Sequence, residues 1–219
     1  SGRGDRHVPM AVVLDIETVG QNVEEIPGRA LDYLFRSLER DAPDPEELER
    51  RREDLVSRLG LDPTTGRIVC IGVVDSETSF ERAFSHAEEI ELLRSFWTWL
   101  EGAKPSLFVT FNGRRFDVPY LNIRSAIHGI EPAYPIPLGW SSHFDVREAL
   151  EGDDKRRRGS LDYFCAVFGV PSPKMEMDGS QVGQAYAEGR VEDIERYCLA
   201  DCRATLALYR RLWPFYGPR

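Results

Sequence analysis

An α/β fold built on an open mixed sheet is predicted, and three observations predict it. A continuous apolar run of strand length lies at residues 8–15. Two more strand-like runs, 67–74 and 78–84, are joined by the turn-forming Asp75-Ser76-Glu77, the pattern of an antiparallel hairpin. From residue 88 onward, helical periodicity alternates with short apolar strands, which implies parallel pairing. The sum is a sheet of five or six strands flanked by helices.

The elements follow in order. The run 8–15 is bounded by the turn-like Val19-Gly20 and reads as a buried strand. Residues 21–66 are rich in charge and show helical spacing over 26–40 and 45–59, divided by Ala42-Pro43-Asp44-Pro45 and closed by Asp62-Pro63-Thr64-Thr65-Gly66. Two helices inserted after the first strand are expected there. The hairpin comes next, then a helix over 88–100, a strand over 106–111, a helix over 118–128 and a fifth strand over 142–146. Lys155-Arg156-Arg157-Arg158-Gly159 is a charged loop, and 161–168, 180–187 and 191–212 are helical.

With 219 residues the chain is long enough to bury a full core, and no Gly/Ser or Pro-rich tract divides it. The expectation is one domain over 1–219, with 7–20 and 67–213 as its core and 21–66 as a helical insertion. Residues 1–6 form a polar lead expected to be disordered. No apolar run is long enough to span a bilayer, and no secretory signal is evident, so a cytoplasmic location is expected. Cys70, Cys165, Cys198 and Cys202 fall inside apolar patterns, which suits reduced, buried thiols. Cys198 and Cys202 stand four apart on a helix and could share a metal, but no histidine or second cysteine pair completes a tetrahedral set, so core thiols are favoured. The net charge of −9 argues against wrapping long nucleic acid on a basic surface. It leaves a carboxylate-rich site open, since such a site attracts phosphate once cations occupy it.

The carboxylates carry the chemistry. Asp15 and Glu17 in Leu14-Asp15-Ile16-Glu17-Thr18 are two apart on a strand and project from one face. A solvated strand end is the plainer alternative. Asp117 closes Phe111-Asn112-Gly113-Arg114-Arg115-Phe116-Asp117, after a strand and before a helix containing Pro119. An N-cap explains it as well as a ligand role does, and the two are compatible, because strand ends are where α/β sheets place their sites. On the last helix, 3.6 residues per turn puts Ile194, Cys198, Thr205, Leu208 and Leu212 on one stripe opposite Arg196, Arg203 and Arg210. Asp201 falls near the centre of the apolar stripe, with Tyr197 one turn before it. A buried carboxylate there needs a cation, a hydrogen-bond network or a metal; a salt-bridged core Asp is the alternative. Four carboxylates with no equally placed Arg or Lys repel one another unless divalent cations bind between them, and an all-oxygen set favours Mg²⁺ or Mn²⁺.

The motifs Asp15-Ile16-Glu17-Thr18, Asn112-Gly113-Arg114-Arg115-Phe116-Asp117 and Tyr197-Cys198-Leu199-Ala200-Asp201, in this order, resemble the DEDDy branch of the DnaQ-like 3′→5′ exonucleases. The closest resemblance is to the stand-alone family related to the proofreading domain of family-B DNA polymerases, and Met177-Asp178-Gly179-Ser180-Gln181-Val182 also looks like a segment of it. The insertion at 21–66 lies outside the shared minimum. The resemblance implies a ribonuclease-H-like sheet and two divalent ions, with Asp15 bridging both, Glu17 and Asp201 completing one site and Asp117 holding the second. It implies that Tyr197 orients the attacking water and takes the place of the histidine of the sister branch. Thr18, Asn112 and Phe116 are implied to line a groove for a single-stranded DNA 3′ end. A polymerase or repair partner would be a separate protein. Short RNA as substrate, and a non-catalytic nucleic-acid-binding module of the same fold, are the alternatives carried forward. His143 and Asp145 approach the cleft without an assigned role, and Lys155 to Arg158 fit a solvated loop better than a substrate contact.

Overall fold

The computed structural model describes residues 11–40, 44–152, 158–172 and 177–217. Strands β1 (Ala11–Gly20), β2 (Gly66–Asp75), β3 (Glu81–Phe84), β4 (Leu107–Thr110) and β5 (His143–Asp145) form one sheet in the order β3-β2-β1-β4-β5. β1 pairs antiparallel with β2 and β2 antiparallel with β3, whereas β4 pairs parallel with β1 and β5 parallel with β4. The mixed α/β sheet expected from the sequence is thus present with five strands.

Alternation along β1 sorts the core into two layers. Val12, Leu14 and Ile16 face α3 (Glu89–Ala103) and α4 (Asp117–Ile127), where Phe96, Trp97, Leu100, Val118 and Leu121 pack against them. Ala11 and Val13 face α8 (Val191–Tyr216), together with α5 (Val146–Glu151) and α6 (Leu161–Phe168). Asp15 and Glu17 continue the second series, so the same period-2 rule that buries Val13 turns both carboxylates toward α8. A bulge follows: the register passes from Glu17↔Cys70 to Thr18↔Ile68, leaving Val69 as an extra residue in β2.

Several boundaries differ from expectation. β1 runs through Gly20 instead of turning at Val19-Gly20. β3 starts at Glu81 rather than at 78, because the Asp75 carboxylate accepts the amides of Glu77 and Thr78 at 2.9 and 2.8 Å and ties those residues into a turn. α8 extends past Leu212 to Tyr216, with Pro214 inside its last turn. α5 was not anticipated. Asp145 caps it, accepting the amides of Arg147 and Glu148 at 3.0 and 3.2 Å. α7 (Val182–Ala187) follows a short 3₁₀ turn at Gly179–Gln181.

The segment between β1 and β2 holds α1 (Gly28–Glu39) and α2 (Pro45–Arg58), amphipathic helices that pack on each other and bury none of their residues fully. Their return is anchored. Leu59 is buried, Thr65 Oγ1 donates to the Leu59 carbonyl at 2.9 Å, and Gln21 Nε2 donates to the Gly66 carbonyl at 2.8 Å. All four cysteines are free and buried. Among the described residues, no helix is long and apolar enough to cross a membrane.

Candidate active site

α8 crosses the sheet directly over the end of β1, and a glycine permits the approach. Gly72 lies opposite Asp15 on β2, and a Cβ there would stand 2.8 Å from Cys198 Sγ and 3.1 Å from Cys202 Sγ. The close packing brings the Cys198 thiol to 3.5 Å from Asp15 Oδ2. Asp15 is half-buried and Glu17 is 8% exposed. One carboxylate oxygen from each and Cys198 Sγ all lie within 4.8 Å of one another.

Asp117 arrives from the far side of β1. β4 pairs with β1 only as far as Val13↔Val109, so the Ile16 amide has passed the end of its neighbouring strand. Asp117 Oδ1 accepts that amide at 3.0 Å, between Asp15 and Glu17 in the chain. The cap of α4 is Phe116, and the Asp117 carboxylate is directed across the sheet end instead of serving as the N-cap acceptor. The loop before it is built for this placement. Asn112 sits at φ +68, and the buried Asp145 carboxylate accepts the amides of Asn112 and Arg114 at 2.9 and 3.1 Å. Gly113 folds so tightly over Thr110 that an added Cβ would fall 2.5 Å from the threonine side chain.

Asp145 is therefore the organiser of both this loop and α5, a role not expected from the sequence. The spacing Asp145-x-x-Glu148 before a helix is the signal that would have found it. His143 is equally committed. Its Nε2 pairs with Thr110 Oγ1 at 2.8 Å and its Nδ1 with the Pro137 carbonyl at 2.9 Å, and burial holds its pKa below the usual value.

Asp201 and Tyr197 stand one turn apart on α8, close enough to the strand end for the charges of Asp201, Glu17 and Asp15 to act on the Tyr197 phenol. Burial, and then the charges of Asp201, Glu17 and Asp15, raise the Tyr197 phenol far above its ordinary range, so it is a neutral hydrogen-bond donor at any working pH. The carboxylates are perturbed together. Asp15 and Glu17 are raised well above the usual carboxylate range, first by burial, then for Asp15 by Glu17, Asp201 and Asp117, and for Glu17 by Asp201 and Asp117. Asp117 is pushed up to about 7 by burial, against the Ile16 amide and with Asp145 and Asp201 adding repulsion. Among the described residues, no Arg or Lys forms an ion pair with Asp15, Glu17 or Asp117. A buried, all-oxygen, mutually repelling set of this kind suits a hard divalent cation.

The perturbation has a measurable consequence. The Asp117 carboxyl is raised from 3.8 to about 7, so between these values the unfolded chain binds fewer protons than the folded one, and stability falls as pH rises. Chelator-treated protein should melt lower at pH 8 than at pH 5.5, by roughly 1–2 kcal/mol or on the order of 5 °C. Thermal melts of wild type and Asp117→Asn check this, and an equal pH slope in the two proteins would contradict it.

The three residues expected to line a groove are placed differently from one another. Asn112 and Phe116 are half-buried in the loop beside Asp117, with the Phe116 ring 5.3 Å from that of Tyr120. The Thr18 hydroxyl is occupied: it donates at 2.7 Å to the Gly60 carbonyl, which also accepts from Tyr120 at 3.0 Å. Its side chain holds the returning insertion against the strand end. Of the basic run, Lys155 to Arg157 lie outside the described residues. Met177 and Val182 are buried against Cys198 and Ile194, and Asp178 with Gln181 forms a capping box on the turn between them.

Comparison with known proteins places the chain. Along 98% of its length it superposes on the family B DNA polymerase of Pyrobaculum calidifontis, with a TM-score of 0.66 and 19% identity, covering 26% of that chain. This defines a ribonuclease-H-like α/β protein. Residues 61–136 and 138–218 match the family described as predicted 3′-5′ exonucleases related to the exonuclease domain of PolB, and the chain belongs to that family. It is 28% identical over 141 residues to the catalytic polypeptide of DNA polymerase epsilon from Schizosaccharomyces pombe, covering 58% of this chain and 6% of that one. It is 26% identical over 164 residues to an uncharacterized protein of Methanocaldococcus jannaschii, covering 74% of this chain and 90% of that one. The polymerases are thus many times longer than the matched region.

Proposed function

We propose that this protein is a two-metal-ion 3′→5′ exonuclease that removes nucleoside 5′-monophosphates from the 3′ end of single-stranded DNA. The observation that carries the reading is the convergence of Asp15, Glu17, Asp117 and Asp201 on one strand end, where their charges act on one another. The working unit is one exonuclease domain, with core 7–20 and 67–213 and insertion 21–66. Asp15 would contact both Mg²⁺ or Mn²⁺ ions, Glu17 and Asp201 would complete one position and Asp117 the other. When bound, the ions would lower the pKa of water and stabilise the leaving 3′ oxygen. Tyr197, neutral and one turn before Asp201 on α8, orients the attacking water through its hydroxyl. Asn112, Phe116 and the backbone following Glu17 grip the terminal nucleotides, with the ring available for stacking.

Incubating 5′-labelled single-stranded DNA, duplex DNA and RNA of equal length with Mg²⁺, Mn²⁺ or chelator tests the reading. A ladder shortening from the 3′ end, fastest on single-stranded DNA and absent with chelator, is expected. Faster turnover of RNA would reassign the substrate.

Tyr197→Phe keeps the ring and removes the hydroxyl. Single-turnover cleavage at saturating metal should fall ~10 to 100-fold, less than the 10²–10⁴ of a full acid–base group because bound cations would already acidify the water. Substrate affinity measured in Ca²⁺ should hardly change. An unaltered rate would make Tyr197 a packing residue.

Replacing α1 and α2 by a short linker, with Leu59 to Gly66 retained, should alter the ratio of rates on single-stranded, duplex and RNA substrates more than it alters metal affinity. The arm is held beside the strand end that carries Glu17 and Thr18. Unchanged ratios would exclude it from substrate selection.

A further inference from the structure

Three thiols meet beneath the carboxylates of β1. Cys70 stands opposite Glu17 in the β1–β2 register and shares a buried cluster with Cys198, and the sulfurs of Cys198 and Cys202 both border Gly72. All three side chains are fully buried on the α8 side of the sheet. Cys198 also reaches Asp15, its Sγ lying 3.5 Å from Oδ2, and Sγ and one oxygen each of Asp15 and Glu17 are within 4.8 Å of one another. A tetrahedral Zn²⁺ takes sulfur at about 2.3 Å and carboxylate oxygen at about 2.0–2.2 Å, which places ligand atoms roughly 3.3–3.8 Å apart. Small side-chain rotations would close the set. Asp15 is half-buried, so an ion could enter from solvent.

We infer that Asp15, Glu17 and Cys198 form a mixed sulfur–oxygen site for thiophilic divalent ions, Zn²⁺ or Cd²⁺, overlapping the carboxylate site. Hard ions gain little from sulfur, so Mg²⁺ and Mn²⁺ use the oxygens alone, whereas a thiophilic ion gains a metal–sulfur bond. As that bond forms the thiol proton passes to bulk water, leaving the thiolate as ligand. The site itself follows from side-chain geometry; its consequence, that a thiophilic ion excludes the activating ones, rests on the proposed nuclease function.

The test is a Cd²⁺ titration of chelator-stripped, desalted protein, read by the ultraviolet sulfur-to-cadmium charge-transfer band. Circular dichroism and melting curves are recorded for every variant. A saturable band is expected in wild type and none in Cys198→Ser. In Asp15→Asn the band should remain but require at least ~10-fold more Cd²⁺. Excess Mg²⁺ should raise the Cd²⁺ midpoint. If Cys198→Ser fails to fold, the Asp15→Asn titration and the Mg²⁺ competition carry the test. No band in wild type, a band retained in folded Cys198→Ser, or a midpoint indifferent to Asp15→Asn and Mg²⁺ would overturn the inference. A band that behaves as expected in a protein without nuclease activity would sink the proposed function and leave the metal site standing.

Discussion

Asp15→Ala and Asp201→Ala should each abolish turnover, and neither should lower the melting temperature of the metal-free protein. The loss follows from the proposed role: removing a ligand forfeits the several kcal/mol that cation stabilisation supplies to the transition state, and ~4 kcal/mol is about a thousandfold in rate. The stability follows from electrostatics already visible without metal. Asp201 pushes up the carboxyls of Asp15, Glu17 and Asp117, and Asp15 is itself pushed up by the other three, so deleting either relieves repulsion among desolvated acids. Activity and thermal melting are measured on the same preparations, in chelator and in Mg²⁺. Wild-type turnover in either variant would remove that residue from the site, and a collapse of the melt would recast it as a structural acid.

The second large effect concerns stability alone. Glu89, 5% exposed, and Arg124, 4% exposed, form the buried ion pair that joins the start of α3 to α4. Arg124 Nε donates to Glu89 Oε1 at 3.0 Å, Nη2 to Oε2 at 2.5 Å, and Nη1 to the Pro63 carbonyl at 3.0 Å. Glu89 also accepts the Ile68 amide at 2.7 Å and faces His128 Nε2 at 2.8 Å. Burial works against the Glu89 carboxylate, yet these partners hold its pKa below the usual value. Arg124→Met strands that charge and should cost about 3–5 kcal/mol in urea denaturation, with much of the cost recovered in the double variant Glu89→Leu, Arg124→Met. Because Pro63 belongs to the turn that returns the insertion, the single variant should also loosen the Gly60 clamp on Thr18. A loss below about 1 kcal/mol would show that water screens the pair.

The parts of the fold legible in the sequence are those governed by local pattern. Period-2 burial predicted that Asp15 and Glu17 share a face, and helical period predicted that Tyr197 and Asp201 do; both pairs are so placed. The helices of the insertion were legible from their Pro and Asp punctuation. What was not legible depends on contacts between distant residues. Nothing local to Asp117 announces that its acceptor is needed by Ile16, an amide left over because β4 last pairs with β1 at Val13. No local pattern announces that the Thr18 hydroxyl meets a carbonyl that arrives 42 residues later. Cys198 was expected in the core, where it is, but its contact with Asp15 depends on Gly72 letting α8 descend. β3 starts later than its apolar run because the Asp75 side chain competes with the strand for the amides of Glu77 and Thr78.

The most direct test of the proposed exonuclease compares a linear single-stranded DNA with the same sequence closed into a circle, each incubated with wild type and Asp201→Ala in Mg²⁺ and in chelator. Stepwise release of nucleoside 5′-monophosphates from the linear strand is expected for wild type in Mg²⁺ alone, with the circle left intact. Efficient cutting of the circle, or equal degradation of the linear strand by Asp201→Ala or in chelator, would contradict it.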